Sequence, residues 1–335
     1  MLAGCGAGGV EPRAAQPLQL SAPEPLVLSV AHAVAQPLGV DRGRSWMAGA
    51  PETGPLVYVS DWSTHDVFVY NYKNHTMVGQ LTGFKTPYGQ CVDNKRNVWI
   101  AEYSGRDLVE YAHGGKIPLK RLHTNGYPIG CAFDPSTGKL AAANFYSNSG
   151  PGDIEVWKHA SGMPATYRST KLYYFWPPAY DGRGNLFVEG RVYHAGYGTA
   201  ELAKFGTELH EIVLKGATIR FAAGALWDGR YIGLTDQDFN DTNTTEVYRI
   251  DVSGSTATVV GRVHLTDSCD RDRADVVQPF AVPSSDKQNA SVVGGNLWCS
   301  NRFNFWHYPG GGAPAASLGK TPAEPFGESV SPADE

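Results

Sequence analysis

The stretch PFGESVS at residues 325–331 has the same form as two earlier ones, PYGQCVD at 87–93 and PIGCAFD at 128–134; all three fit P-x-G-x-x-x-[DS]. A pattern used twice near the start of a chain and again at its end points to a repeat whose first unit is completed from the far end. The rest of the sequence carries that repeat. Short apolar runs, each ending on a carboxylate or an amide, recur as VYVSD, VWIAE, LAAAN, NLFVE, IGLTD and LWCSN. Their last residues, at 61, 102, 144, 189, 236 and 301, stand 41, 42, 45, 47 and 65 positions apart. After each run comes a second apolar segment with a large residue three places on, as in Val67 and Tyr70, Leu108 and Tyr111, or Ile154 and Trp157. A period in the forties with several short strands per unit and turns such as DPSTG (134–138) and DGRGN (181–185) is the mark of propeller blades, each too thin to bury its own faces.

The expected fold is therefore all-β, a six-bladed β-propeller over residues 51–335 with blade one closed by the C-terminal strand. The long last interval holds two insertions, 265–275 and 283–290, around a usable inner strand VVQPFAV at 276–282. Composition agrees. The 39 Gly, 22 Pro and 38 aromatic residues (17 Tyr, 13 Phe, 8 Trp) suit many short strands and turns. A net charge of -5 with acidic and basic residues mixed offers no basic stripe for a phosphate backbone, so nucleic acid is not an expected partner. The apolar stretch at 26–35 is about half of what a bilayer span requires.

Residues 2–5, LAGC, resemble the lipobox of bacterial lipoproteins, in which the Cys, here Cys5, receives the lipid after signal-peptide cleavage. The basic and apolar regions that precede the motif in that family do not precede it here. Residues 6–50, rich in Ala, Gly, Pro and Gln, fit a flexible tether, so 1–50 is expected to be lipobox remnant and tether. The resemblance implies a lipid-anchored protein of the bacterial cell envelope, on the periplasmic side or at the outer membrane. Four further cysteines suit such a compartment. Cys269 and Cys299 are expected to pair across one rim, and Cys91 and Cys131 point from neighbouring inner strands toward each other's blades.

The repeat also resembles six-bladed propellers of the NHL-repeat and gluconolactonase-like superfamily, through RNVWIAEYSG (96–105) and GNLFVEG (184–190). Strand-end residues of such blades gather at one rim of the channel, here Asp61, Glu102, Asn144, Glu189, Asp236 and Asn301, with Trp62, Tyr103 and Phe145 following them. Tyr146, Tyr193, Phe239 and Phe303 add further aromatic side chains. An acidic mouth with aromatic neighbours would favour a cationic ligand, a peptide or a saccharide. The competing role for the strand-end carboxylates is structural, accepting backbone hydrogen bonds.

Gluconolactonase-like enzymes place metal ligands just before the Gly of the inner-strand motif, where this sequence has Tyr88, Ile129 and Phe326, none able to hold a hard cation. DQDFND at 236–241 opens like a calcium loop but lacks its later Gly and Glu, leaving calcium as a minor expectation and no other cofactor. The ten His residues are scattered. The leading expectation is a binding module without catalysis whose partner is an envelope protein, peptide or saccharide; the alternative is a metal-dependent lactonase that uses the rim carboxylates.

Overall fold

A computed structural model describes residues 43–48, 54–148, 150–192, 196–202, 208–237, 245–267, 276–282, 291–296, 302–318 and 324–332. Among these residues every regular element is a strand, and the strands sort into six antiparallel meanders. Blade one orders Pro325–Ser331, Leu56–Asp61, Asp66–Asn71 and Met77–Leu81 from inside outward. Blade two runs Pro87–Val92, Val98–Glu102, Asp107–Tyr111 and Pro118–His123. Blade three runs Gly126–Asp134, Lys139–Ser147, Gly150–Lys158 and Ser161–Tyr167. In blade four Leu172–Phe175 and Ala179–Tyr180 share the inner edge of Leu186–Val192, and Tyr197–Leu202 and Leu209–Lys215 follow. Blade five is Ala222–Trp227, Ile232–Asp236, Thr245–Ser253 and Thr256–Leu265; blade six is Val276–Val282, Ser291–Asn296, Arg302–His307 and Ala316–Ser317. The innermost strands adjoin one another in order, and that of blade six adjoins Pro325–Ser331, which adjoins Pro87–Val92, so the circuit closes into a β-propeller.

The apolar runs are buried on both faces, which is why they do not alternate with polar residues. Leu56 and Tyr58 pack toward blade two, while Val57 and Val59 on the same strand pack toward blade six. Each of the six core clusters straddles one pair of neighbouring blades. Trp99 and Trp157 meet between blades two and three, and Trp306 lies between five and six. Burying one such side chain contributes about 1.5–3 kcal/mol, and every blade draws on both neighbours for it.

The closing strand pairs antiparallel with the first, Leu56 opposite Ser331 through Ser60 opposite Gly327, then shifts register so that Asp61 opposes Pro325. Pro87 opposes Glu102 and Pro128 opposes Asn144 in the same way, each beside a register shift. The repeated Pro thus sits at a bulge, where the ladder needs no N–H donor. The motif Gly is set by the neighbouring blade: a Cβ on Gly327 would lie 2.5 Å from the Tyr88 carbonyl oxygen, and one on Gly130 would lie 2.7 Å from Pro177. The closing Asp of the motif caps the turn to the next strand. Asp93 Oδ1 accepts from the Lys95 and Asn97 amides, and Asp134 Oδ1 from that of Ser136. In the last copy that residue is Ser331, whose hydroxyl donates to the Arg96 carbonyl of blade two and meets His113 Nδ1. Ser329 donates to Gln90 Oε1, adding a second polar tie between the closing strand and blade two.

Three features differ from expectation. Trp46–Met47, inside the stretch assigned to the tether, pairs with Met77–Leu81 as a fifth, outermost strand of blade one. The second strand of blade six is Ser291–Asn296, with its partners on both sides in register, while LWCSN at 297–301, the run expected to form it, lies outside the described residues. Blades four and five are joined at their outer edges by a parallel pairing of Val213–Lys215 with Thr256–Thr258, which no repeat in the sequence announces. Cys91 and Cys131 form a disulfide that staples the inner strands of blades two and three; Cys269 and Cys299 lie outside the described residues.

Removing residues 325–335 should take Val330 out of the core between blades six and one and break the Ser329 and Ser331 bonds to blade two, and the truncated chain is expected to lose its cooperative thermal transition and near-ultraviolet circular dichroism. Opening the Cys91–Cys131 crosslink, which spans a separation of 40 residues, should cost about 4 kcal/mol in a chain-entropy account. Denaturant midpoints of a Cys91→Ser Cys131→Ser variant against the oxidised protein measure it.

Candidate functional site

The strand-end residues expected at the channel mouth are buried, and the competing structural role describes them. Asp61, Glu102, Glu189 and Asp236 are each no more than 3 % exposed. Glu102 receives the Lys85 and Thr86 amides, each at 2.7 Å, and Asp236 receives those of Arg220 (3.0 Å) and Phe221 (2.7 Å). Asp61 Oδ1 accepts from the Ser63 and Thr64 amides, and its Oδ2 from that of Glu324. In each case the carboxylate holds the segment that enters an inner strand, Thr86 before Pro87 or Glu324 before Pro325. The expected acidic mouth is corrected accordingly: these groups face backbone donors rather than solvent. Asp236 is likewise bound to amides; of the DQDFND stretch noted as opening like a calcium loop, residues 238–241 lie outside the described residues. Asn144 Nδ2 donates to Asp153 Oδ1 at 2.7 Å and Glu155 Oε2 at 3.1 Å within blade three. Burial pushes both of those carboxyls upward in pKa. Asn301 lies outside the described residues.

Glu189 differs from the other three. Its Oε1 accepts the Thr235 amide of blade five at 2.7 Å, while Oε2 has no hydrogen-bond partner among the described residues. Burial drives its pKa well above the ordinary carboxylate range, and Asp236 adds to the rise.

A row of half-buried aromatic side chains runs along this end of the ring. Trp62 packs on Phe326 with centroids 5.2 Å apart, and Phe326 meets Tyr88 at 4.6 Å. The series continues through Tyr103 (5.7 Å), Tyr127 (5.3 Å), Tyr146 (4.6 Å), Phe145 (5.8 Å), Trp176 (5.1 Å) and Phe221 (6.4 Å). Tyr174 stacks against Phe145 behind the row at 4.7 Å. All nine rings from Trp62 to Phe221 are partly exposed, and they come from blades one to five. Arg106 lies under Tyr127, 5.8 Å from the ring centre, with its guanidinium held by the Asn125 carbonyl at 2.9 Å. Burial raises the pKa of Tyr88; for Tyr103 burial comes first, then a hydrogen bond to Tyr146 and the neighbouring phenols. These hydroxyls stay neutral.

Of the expected aromatic residues, Trp62, Tyr103, Phe145 and Tyr146 stand in this arc. Phe303 is instead core, fully buried against Phe305, and Tyr193 and Phe239 lie outside the described residues. Tyr127, Trp176 and Phe221 were not expected, and Tyr88 and Phe326 were noted only as occupants of metal-ligand positions. Ile129, the third such occupant, is buried. The signal that marks the unexpected set is an aromatic residue at the entry of the inner strand in five of the six blades, at 326, 88, 127, 176 and 221.

No protein-family model and no curated protein matches the sequence. Solved structures do share the fold. A structure of a nidogen and laminin complex matches with a TM-score of 0.62 at 15% identity, covering 83% of this chain and 98% of that one. A protein of unknown function from Bacteroides caccae matches with a TM-score of 0.57 at 11% identity over 84% of this chain and 100% of that one. Hydrazine synthase of Kuenenia stuttgartiensis matches with a TM-score of 0.54 at 13% identity over 75% and 72%. At these identities the likeness is one of fold, the β-propeller.

The pH dependence of Glu189 follows from its raised pKa. Its protonated form suits the interior, so its contribution is most favourable below the unfolded value of about 4.3 and is lost as pH rises toward the folded value. A Glu189→Gln variant should therefore gain stability relative to the parent as pH is raised from 4 through 8; chemical denaturation across that range measures the change.

Proposed function

We propose that this chain is a binding module without catalysis of its own, anchored by lipid on Cys5 in the bacterial cell envelope, which takes an envelope protein, peptide or saccharide across the aromatic arc. The observation that carries this is the row of partly exposed rings from Trp62 to Phe221, with buried carboxylates fixing the backbone beside Tyr88, Phe221 and Phe326. Large apolar rings left partly in water on a monomer's surface mark a place of contact. The buried Cys91–Cys131 disulfide supports an oxidising compartment, and LAGC at 2–5 supports the lipid anchor. A nidogen and laminin complex among the fold neighbours supports binding as a use of this fold.

The lactonase alternative is less well supported. Tyr88, Ile129 and Phe326 stand at its ligand positions, and Glu102 and Asp236 accept pairs of backbone amides that a metal would have to displace.

The test is an array of glycans and peptides probed with the labelled full chain and with a Tyr103→Ala Tyr127→Ala variant. Hits lost at least ten-fold in the variant, at an unchanged melting temperature, support the reading. Hits indifferent to the variant, or lactone hydrolysis that needs calcium or zinc and disappears in Glu102→Gln, overturn it.

A further inference from the structure

Resting on the reading of the arc as a binding site, we infer that its ligand is a linear, uncharged glycan laid along the rim, several sugar rings long. Three observations narrow the class. The first is the spacing of the rings. Neighbouring centroids lie 4.6–6.4 Å apart, so the rings already touch one another. No slot remains between two faces for a trimethylammonium head or a proline ring to be clasped, as aromatic cages and polyproline grooves require. What the arc offers is the partly exposed surface of the rings, on which a ligand must lie. A pyranose meets that demand, since the C–H groups of one sugar face stack on one aromatic surface while its equatorial hydroxyls point sideways.

The second observation is charge. The four carboxylates under the arc are turned into the protein and bound to amides, and the Tyr88 and Tyr103 phenols are neutral. Arg106 is half-buried, with its guanidinium bonded to the Asn125 carbonyl and set against the Tyr127 ring. A surface of this kind complements an uncharged ligand, and its binding should hardly respond to salt. The third is extent. The row runs over five of the six blades, far beyond one sugar, so affinity should climb with chain length. The Tyr hydroxyls supply donors and acceptors beside the stacking surfaces, as hydroxyl-rich ligands need.

Calorimetric titration of the full chain with cellohexaose, mannohexaose, chitohexaose and maltohexaose, with their disaccharides, and with decaproline and choline as comparators, tests the class. At least one hexasaccharide is expected to bind at least ten-fold more tightly than its disaccharide, with less than a two-fold change between 50 and 500 mM NaCl. Tyr127→Ala and Trp176→Ala should each weaken it ten-fold or more. Tyr103→Phe, which keeps the ring packing, should weaken it two- to five-fold, so the result does not hang on the larger deletions folding. Binding of decaproline or choline that these variants abolish, with no hexasaccharide bound, keeps the arc as a site and overturns the glycan. Hexasaccharide binding untouched by all three variants overturns the arc itself. Silence from every probe overturns the glycan class and leaves the array result to decide the site.

Discussion

The structure depends on one pairing, that of Pro325–Ser331 with Leu56–Asp61. Each blade is a thin sheet with two apolar faces, so an open row of blades would leave a bare face at either end. Only a ring removes both ends. The ring is joined where residues about as far apart as the chain permits lie side by side, a contact with a large loop-closure cost that the burial at two blade interfaces must outweigh. Placing the joint within a blade strengthens it. The closing strand has a backbone ladder on one edge, the core between blades six and one on one face, and on the other Ser329 and Ser331 bound to Gln90 and to the Arg96 carbonyl of blade two.

That joint also accounts for the motif that made the fold legible. Pro marks the bulge opposite a strand-end Asp, Glu or Asn. Gly marks the place where the next blade's backbone approaches too closely for any side chain, as at Gly327 against Tyr88. The last position is Asp at 93 and 134, where it caps the turn to the next strand, and Ser at 331, where it bonds to the Arg96 carbonyl of blade two. Each position answers a local steric or hydrogen-bonding demand shared by blades one, two and three, and such demands survive as repeated signals in a linear sequence. The apolar runs are legible for the same reason, since a strand buried on both faces cannot alternate.

What the sequence hides is what depends on contact between blades. Tyr88 and Phe326 stand in contact across 238 positions of chain, and Tyr103 and Tyr127 across 24, so no spacing rule brings them together. The strand-end acids mislead in the opposite direction. Their regular recurrence is real, but a carboxylate at the end of a strand does not disclose whether it faces water or an amide. Blade six shows a third limit. SVVGGN is short and closes on Asn as LWCSN does, and only its pairing with Val276–Val282 and Arg302–His307 marks it as the second strand.

The buried acids and the exposed rings form a single device. Glu102 fixes the Lys85 and Thr86 amides just before Tyr88, and Asp236 fixes the amides of Arg220 and Phe221. Charge-assisted bonds to backbone donors are stronger than neutral ones, and here they act at the entries of the inner strands, where the aromatic side chains leave the sheet. The rings are thus set by main-chain anchors rather than by their own packing alone, which lowers the ordering cost of a ligand laid across them. Recurrence of the strand-end acid in blades one, two and five then has a meaning beyond fold. It repeats the anchor beside an aromatic side chain, and in blade three Glu155 takes that part by accepting the Asn125 amide just before Tyr127.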